Sequence, residues 1–291
     1  MKIGLGAVQF GLSYGVSNKI GKTPKAEVKE ILSLAKDFGI KVIDTAFQYG
    51  NSEEILGELL VKGDFNIVTK TPAFTHQTIN VNDAEYLEKV YKQSVSYMGK
   101  HSLYGLLFHN ADDLFLPGAK CLFEKVLELK ENGLVDKIGV SIYSAAQIDK
   151  LIGNYPIDLI QLPINILDQR LLKNGYLSSL KSKGIEIHAR SIFLQGLLLM
   201  DPETMPVYFD PIREHLKSYH QFIKEINITP VEAALGFVSS LAEVDVVLCG
   251  VNSKEQLVEI CNSYSEKLNV TDFEKYAINN IEMLNPSKWK I

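Results

Sequence analysis

The amino-acid sequence predicts a (β/α)₈ barrel, on three observations. Eight short apolar segments alternate with segments of helical period. Asp44, Lys70, His109, Ser141, Gln161 and Ser191 stand at the C-terminal ends of six different apolar segments, and barrel enzymes collect their sites from the ends of several strands. The chain has 291 residues and no low-complexity break, against about 250 for a typical barrel, so residues 1–291 are read as one domain. Strands joined by helices lie parallel with right-handed crossovers, in an open sheet or a barrel. An open sheet would gather its polar groups at one switch point and call for G-x-G-x-x-G after a strand, which is absent.

Residues 3–8 read as the first strand, followed by a polar, Gly-rich loop to Lys22. Pro24 opens a helix whose apolar residues Val28, Ile31, Leu32, Ala35 and Phe38 recur at helical spacing until Gly39. The run 40–44 is β-branched and too short for a helix, so it reads as a strand buried on both faces. Helix 53–61 follows, with Asn51 and Ser52 placed to cap it. Strand 65–70 ends before Pro72, helix 83–98 leads to strand 102–108, and helix 119–131 leads to strand 137–141. Helix 145–152, strand 157–161, one helix over 169–183 and strand 185–189 continue the alternation. After a long connection come helices 212–225 and 231–241 and the last strand, 244–249.

Composition narrows the function classes. The formal net charge of −5 and pI near 5.8, with no dense Lys/Arg cluster, exclude a phosphate-backbone reader. No membrane span or signal-type apolar stretch is present, so a cytoplasmic protein is expected. Cys121, Cys249 and Cys261 are widely spaced and signal neither a disulfide framework nor a metal site. Gly11 to Gly15 matches G-x-S-x-G, but loop rather than helix follows, which excludes a nucleophile elbow.

A carboxylate where a buried strand runs out, Asp44, followed five residues later by a phenol, Tyr49, in a loop closed by Gly50, suggests chemistry rather than packing. Partners arrive at other strand ends. Together with Gly4-Leu5-Gly6, Asp44-Thr45-Ala46, Tyr49-Gly50, Glu54 and Gly57, Lys70, His109, Gly139-Val140-Ser141, Gln161 with Asn165, Ser191, Gln195-Gly196-Leu197 and Gly250 with Gln256-Leu257, in this order and spacing, the chain resembles the aldo-keto reductase superfamily over nearly its whole length.

That resemblance implies reduction of an aldehyde, ketone or sugar carbonyl by hydride from NADPH, with NADH as the alternative cofactor. A free phenol has a pKa of about 10, so it needs a neighbour to act as an acid near neutrality. The resemblance makes Tyr49 the general acid, Lys70 the neighbour, Asp44 the partner that keeps Lys70 charged, and His109 a donor to the substrate oxygen. It assigns cofactor contacts to Ser141, Gln161, Arg190, Ser191, Gln195 and Gly196, and to Gly250, Ser253, Lys254, Gln256 and Glu259 after the last strand.

The sequence departs from the family pattern at two points. Ile142 follows Ser141 where an asparagine is common, and Arg190 stands where a tyrosine often stacks on the nicotinamide ring; a guanidinium there could alter redox balance or bind an acidic substrate. In NADP-preferring relatives, a lysine and an arginine commonly occupy the positions of Gly250 and Gln256, which leaves Lys254 and the N–H groups opening the last helix for a 2′-phosphate. Phe47, Phe74, His76, Phe115, Phe193, Tyr208, Phe209 and Trp289 are the candidates for substrate contact. A nucleotide-binding sensor with little turnover and a redox-neutral sugar epimerase are the competing readings.

Overall fold

The structure, a computed structural model, describes residues 1–60 and 63–290. Strands β1 (Ile3–Gly6), β2 (Val42–Asp44), β3 (Asn66–Lys70), β4 (Leu103–Phe108), β5 (Val135–Ser141), β6 (Leu159–Pro163), β7 (Glu186–Arg190) and β8 (Val246–Gly250) form a closed barrel in sequence order. All neighbours are parallel, and β1 closes on β8 through Gly6 opposite Gly250. Around them lie α1 (Val8–Gly11), α2 (Lys25–Asp37), α3 (Ser52–Leu59), α4 (Val81–Tyr97), α5 (Lys120–Glu131), α6 (Ala145–Leu151), α7 (Arg170–Lys173), α8 (Tyr176–Ser182), α9 (Asp210–Glu225), α10 (Pro230–Ser239) and α11 (Lys254–Asn262).

The fold is the one expected, with local differences. The first strand stops at Gly6 and Val8 begins a helical turn. The single helix expected over 169–183 is two, because Gly175 takes a left-handed φ of 69° that breaks the ladder. Asn51 is the N-cap of α3, but its side chain makes no capping hydrogen bond; it accepts from Lys22 Nζ. The end expected at Val61 lies outside the described residues.

Two cores result from the two faces of the strands. The larger lies between barrel and helices; the smaller, Val42, Val68, Leu107, Leu159, Val246 and Leu248, fills the barrel interior. Below it, Glu186 accepts from Tyr104 Oη at 2.7 Å, pairs with Lys137, and meets His188 Nε2 at 2.6 Å. Burial alone would raise the Glu186 carboxyl, but hydrogen bonds from His188, Lys137 and Tyr104 hold it down to about 2.

The helix after β2 is held close to its neighbour by Gly57, where an added Cβ would lie 1.8 Å from Tyr97 O. Alanine favours a helix by up to about 1 kcal/mol over glycine, but overpacking against rigid backbone costs about 1–3 kcal/mol. Gly57→Ala is therefore expected to lower the urea midpoint, and an unchanged or higher midpoint would contradict this packing. Glu53, not Glu54, is the buried carboxyl of α3: it accepts from Thr69 Oγ1 at 2.5 Å and Ser94 Oγ at 2.8 Å, and burial raises its pKa. Glu54 is exposed.

Candidate active site

Side chains alternate along a strand, so the parity that points Val42, Val68, Leu107, Leu159 and Leu248 into the barrel also points Asp44, Lys70, His109, Gln161 and the Gly250 position inward, two residues nearer the C-terminal rim. Ser141 and Arg190 close β5 and β7 at the same rim. Above the apolar plug the strands thus present a polar layer, which becomes the floor of a cavity of about 440 Å³. That volume falls in the range of about 300–1,000 Å³ usual for small-molecule sites.

The floor is an ion pair. Lys70 Nζ donates to Asp44 Oδ1 and Oδ2 at 2.8 and 2.7 Å and to Thr45 O at 2.8 Å. Its side chain is 1% exposed and that of Asp44 8%. Gln161 Nε2 donates to Asp44 Oδ1 at 2.7 Å, so the carboxylate is held from two sides. Burial pulls the Lys70 pKa down, and the Asp44 charge and hydrogen bond oppose it. Three acceptors at hydrogen-bond distance make the ammonium the form this geometry suits.

Tyr49 lies over this pair, its ring centroid 4.9 Å from Lys70 Nζ. The contact is with the ring face, and the Lys70 N–H groups are all spent elsewhere. Burial, then the Asp44 charge, raises the Tyr49 pKa, while Arg190 lowers it. The phenol is therefore protonated at rest. His109 meets Tyr49 edge to face, with centroids 5.8 Å apart and planes at 84°. Burial first, then the Lys70 charge, pulls His109 down to about 4, so its ring is neutral at neutral pH, and its buried Nδ1 has no partner among the described residues.

The cavity brings together Asp44, Tyr49, His109, Ser141, Gln161 and Arg190 at one end with Ser191, Gln195, Gly196, Gly250, Gln256 and Glu259. Lys70 lies beneath it. Ser253 and Lys254 do not line it. Ser253 Oγ instead accepts from Gln256 N at 3.3 Å, Lys254 N donates to Glu27 Oε1 at 2.6 Å, and Lys254 Nζ lies 4.0 Å from Glu30. Glu27 thus occupies the first N–H of α11 that was expected to serve a phosphate.

Several features suit a long polar ligand. Gln9 Oε1 is buried without a partner among the described residues, beside Gly250, where a Cβ would come within 2.5 Å of the Gln9 amide. At Gly196 a Cβ would come within 1.9 Å of Ser17 Oγ, so the loop after β1 and the connection after β7 close on each other over the cavity. Ser191, Leu194 and Gln195 have φ of 59°, 48° and 56°. They are three of the four non-glycine residues with positive φ among those described. Such backbone costs about 1–3 kcal/mol per residue and clusters at ligand clamps.

Sequence reasoning missed Gln9, Tyr14, Tyr143 and Asn252, all on the cavity wall. Of the eight aromatic or histidine candidates for substrate contact, Phe193 alone lines it. Phe209 and Trp289 pack on each other at 4.8 Å, Phe74 packs on His76 and Tyr86, and Phe115 lies under Lys150. Those loops close over one another rather than over the site.

Fold and rim together define a (β/α)₈ barrel with a phenol and a histidine over a buried ion pair at its C-terminal mouth. The family model described as the aldo/keto reductase family matches residues 2–280. Two solved structures from Pseudomonas aeruginosa, proposed aldo-keto reductases, share the fold: one has a TM-score of 0.67, and the second 0.66, each at 19% identity over 92% of this chain and 91% of that one. The chain belongs to the aldo/keto reductase family, whose general activity is carbonyl reduction with a nicotinamide cofactor. Among the described residues, no helix is long and apolar enough to cross a membrane.

Proposed function

We propose that this protein reduces an aldehyde, ketone or sugar carbonyl with NADPH or NADH, Tyr49 supplying the proton. The observation that carries the proposal is the juxtaposition of a protonated phenol and a neutral histidine above the Lys70–Asp44 pair, with Tyr49, His109 and Asp44 facing one cavity. When bound, the cofactor supplies hydride to the carbonyl carbon. The π electrons of the C=O bond move to oxygen, which takes the proton of Tyr49 Oη, giving alcohol, oxidised cofactor and a tyrosinate that is reprotonated from solvent. His109, neutral and on the wall of the same cavity, donates to the same oxygen and fixes it. Lys70 acts through its charge below the ring rather than through a hydrogen bond to the phenol, because Asp44 and Thr45 take its donors. Cofactor oxidation followed by absorbance against a panel of aldehydes and keto-sugars tests the proposal; no oxidation with any of them counts against it.

The residues for holding the cofactor fit its uncharged parts better than a 2′-phosphate. Ser141, Gln161, Gln9 and the backbone at Gln195-Gly196 offer neutral donors and acceptors, whereas near α11 the charged group on the wall is Glu259. A 2′-phosphate brings roughly two negative charges and wants a fixed cation. Lys254, the candidate, faces Glu30. Selectivity between NADPH and NADH is expected to stay within about a hundredfold, or about 3 kcal/mol. Calorimetric dissociation constants for both check this, and a preference of about a thousandfold for either would contradict it.

A further inference from the structure

The charge around the cavity is uneven in a way the reaction does not explain. Among the described residues, Arg190 is the one lysine or arginine on its wall, and Asp44 and Glu259 are the carboxylates. Lys70 already neutralises Asp44. The contacts of Arg190 among the described residues are all with uncharged groups: Nη2 donates to Ile142 O at 2.9 Å, Nη1 donates to Ser191 Oγ at 3.2 Å, and the guanidinium lies 4.1 Å from the centroid of the Tyr143 ring. These contacts fix the plane of the fork and spend part of it; the remaining N–H groups have no acceptor among the described residues. A half-buried cation, rigidly held and without a counter-charge, is costly unless a ligand brings the missing charge.

We infer that Arg190 anchors the substrate of the proposed reductase, and that this substrate is a carbonyl compound bearing a carboxylate, a keto acid or an aldehyde acid. Three observations bear on the class. The guanidinium matches a planar carboxylate by shape as well as by charge. One cation on a wall that also carries Glu259 balances a single negative charge, not the roughly two of a phosphate ester. Arg190 lines the same cavity as Tyr49 and His109, which lets one small molecule carry both the anchored group and the reacting carbonyl. The inference rests on the reductase reading for the carbonyl, but not for the carboxylate.

The test compares kcat/KM for 4-carboxybenzaldehyde and 4-nitrobenzaldehyde, two aldehydes of similar shape and activation, in the wild type, Arg190→Gln and Arg190→Lys. The carboxylate-to-neutral ratio is expected to fall roughly ten- to a hundredfold in Arg190→Gln, the effect of one charge-assisted hydrogen bond, and to recover in part in Arg190→Lys. A ratio that does not change, with cofactor affinity falling instead, would assign Arg190 to the cofactor and overturn the inference. If neither aldehyde is consumed, binding decides the matter independently of the reductase reading. Benzoate titrated calorimetrically into the protein with oxidised cofactor should bind the wild type and be weakened by a similar factor in Arg190→Gln. Benzoate that binds both proteins equally, or neither, would overturn the inference.

Discussion

Tyr49→Phe is expected to lower turnover by about 10²- to 10⁴-fold, the usual loss for a general acid, and to leave the cofactor's dissociation constant nearly unchanged. The substitution removes one oxygen and keeps the ring that lies over Lys70 Nζ and against His109. Packing is preserved, so a fall in rate reports the proton and not the fold. The raised phenol pKa fits the same reading: Tyr49 holds its proton at neutral pH, as a donor must, and in the proposed reaction would give it up only to the strongly basic oxygen that hydride addition creates. Retention of wild-type turnover would remove Tyr49 from the mechanism.

Lys70→Met should be more damaging, because it costs stability as well as rate. It leaves Asp44 with Gln161 as its remaining polar partner, in a place where the carboxylate side chain is 8% exposed. Breaking a buried pair by removing one charge typically costs about 3–5 kcal/mol. Thermal or urea unfolding should show this loss, and turnover should fall on the scale of the Tyr49 variant. The double variant Asp44→Asn with Lys70→Met should regain stability but not rate, since two neutral partners carry no uncompensated charge. If Lys70→Met keeps both the wild-type midpoint and the wild-type rate, the ion pair is neither a structural nor a functional element.

The strand ends could be read from the sequence for a physical reason. A strand in a closed barrel has an inward parity, and the residue two places beyond the last apolar inward residue meets the rim. Val42 to Asp44, Val68 to Lys70, Leu107 to His109 and Leu159 to Gln161 follow that step. On α3 the residue singled out from the sequence is Glu54, whereas the buried carboxyl is Glu53, beside the buried Ile55 and Leu56. Asn51, placed by the sequence to cap α3, does not cap with its side chain, and Asp44 is committed to Lys70 and Gln161.

What could not be read depended on partners remote in sequence. Lys254 faces Glu30 because α2 and α11 pack together, and nothing within α11 announces it. Gly175 breaks a helix whose apolar spacing continues on both sides. Tyr14 and Gln9 reach the cavity from the loop and turn after β1, where periodicity carries no information, and Tyr143 enters from the connection after β5. The positive φ of Ser191, Leu194 and Gln195 is invisible in residue types that do not favour it.

The central claim is that hydride and proton meet at a carbonyl over Tyr49. Its most direct test is a reaction run with reduced cofactor deuterated at the transferring position, quantifying alcohol, oxidised cofactor and the position of the label. The account predicts one alcohol per cofactor oxidised, one deuterium on the former carbonyl carbon, and loss of all three signals in Tyr49→Phe. Substrate converted with no net cofactor oxidation would identify a redox-neutral enzyme, and cofactor bound without conversion would identify a sensor; either result would contradict the account.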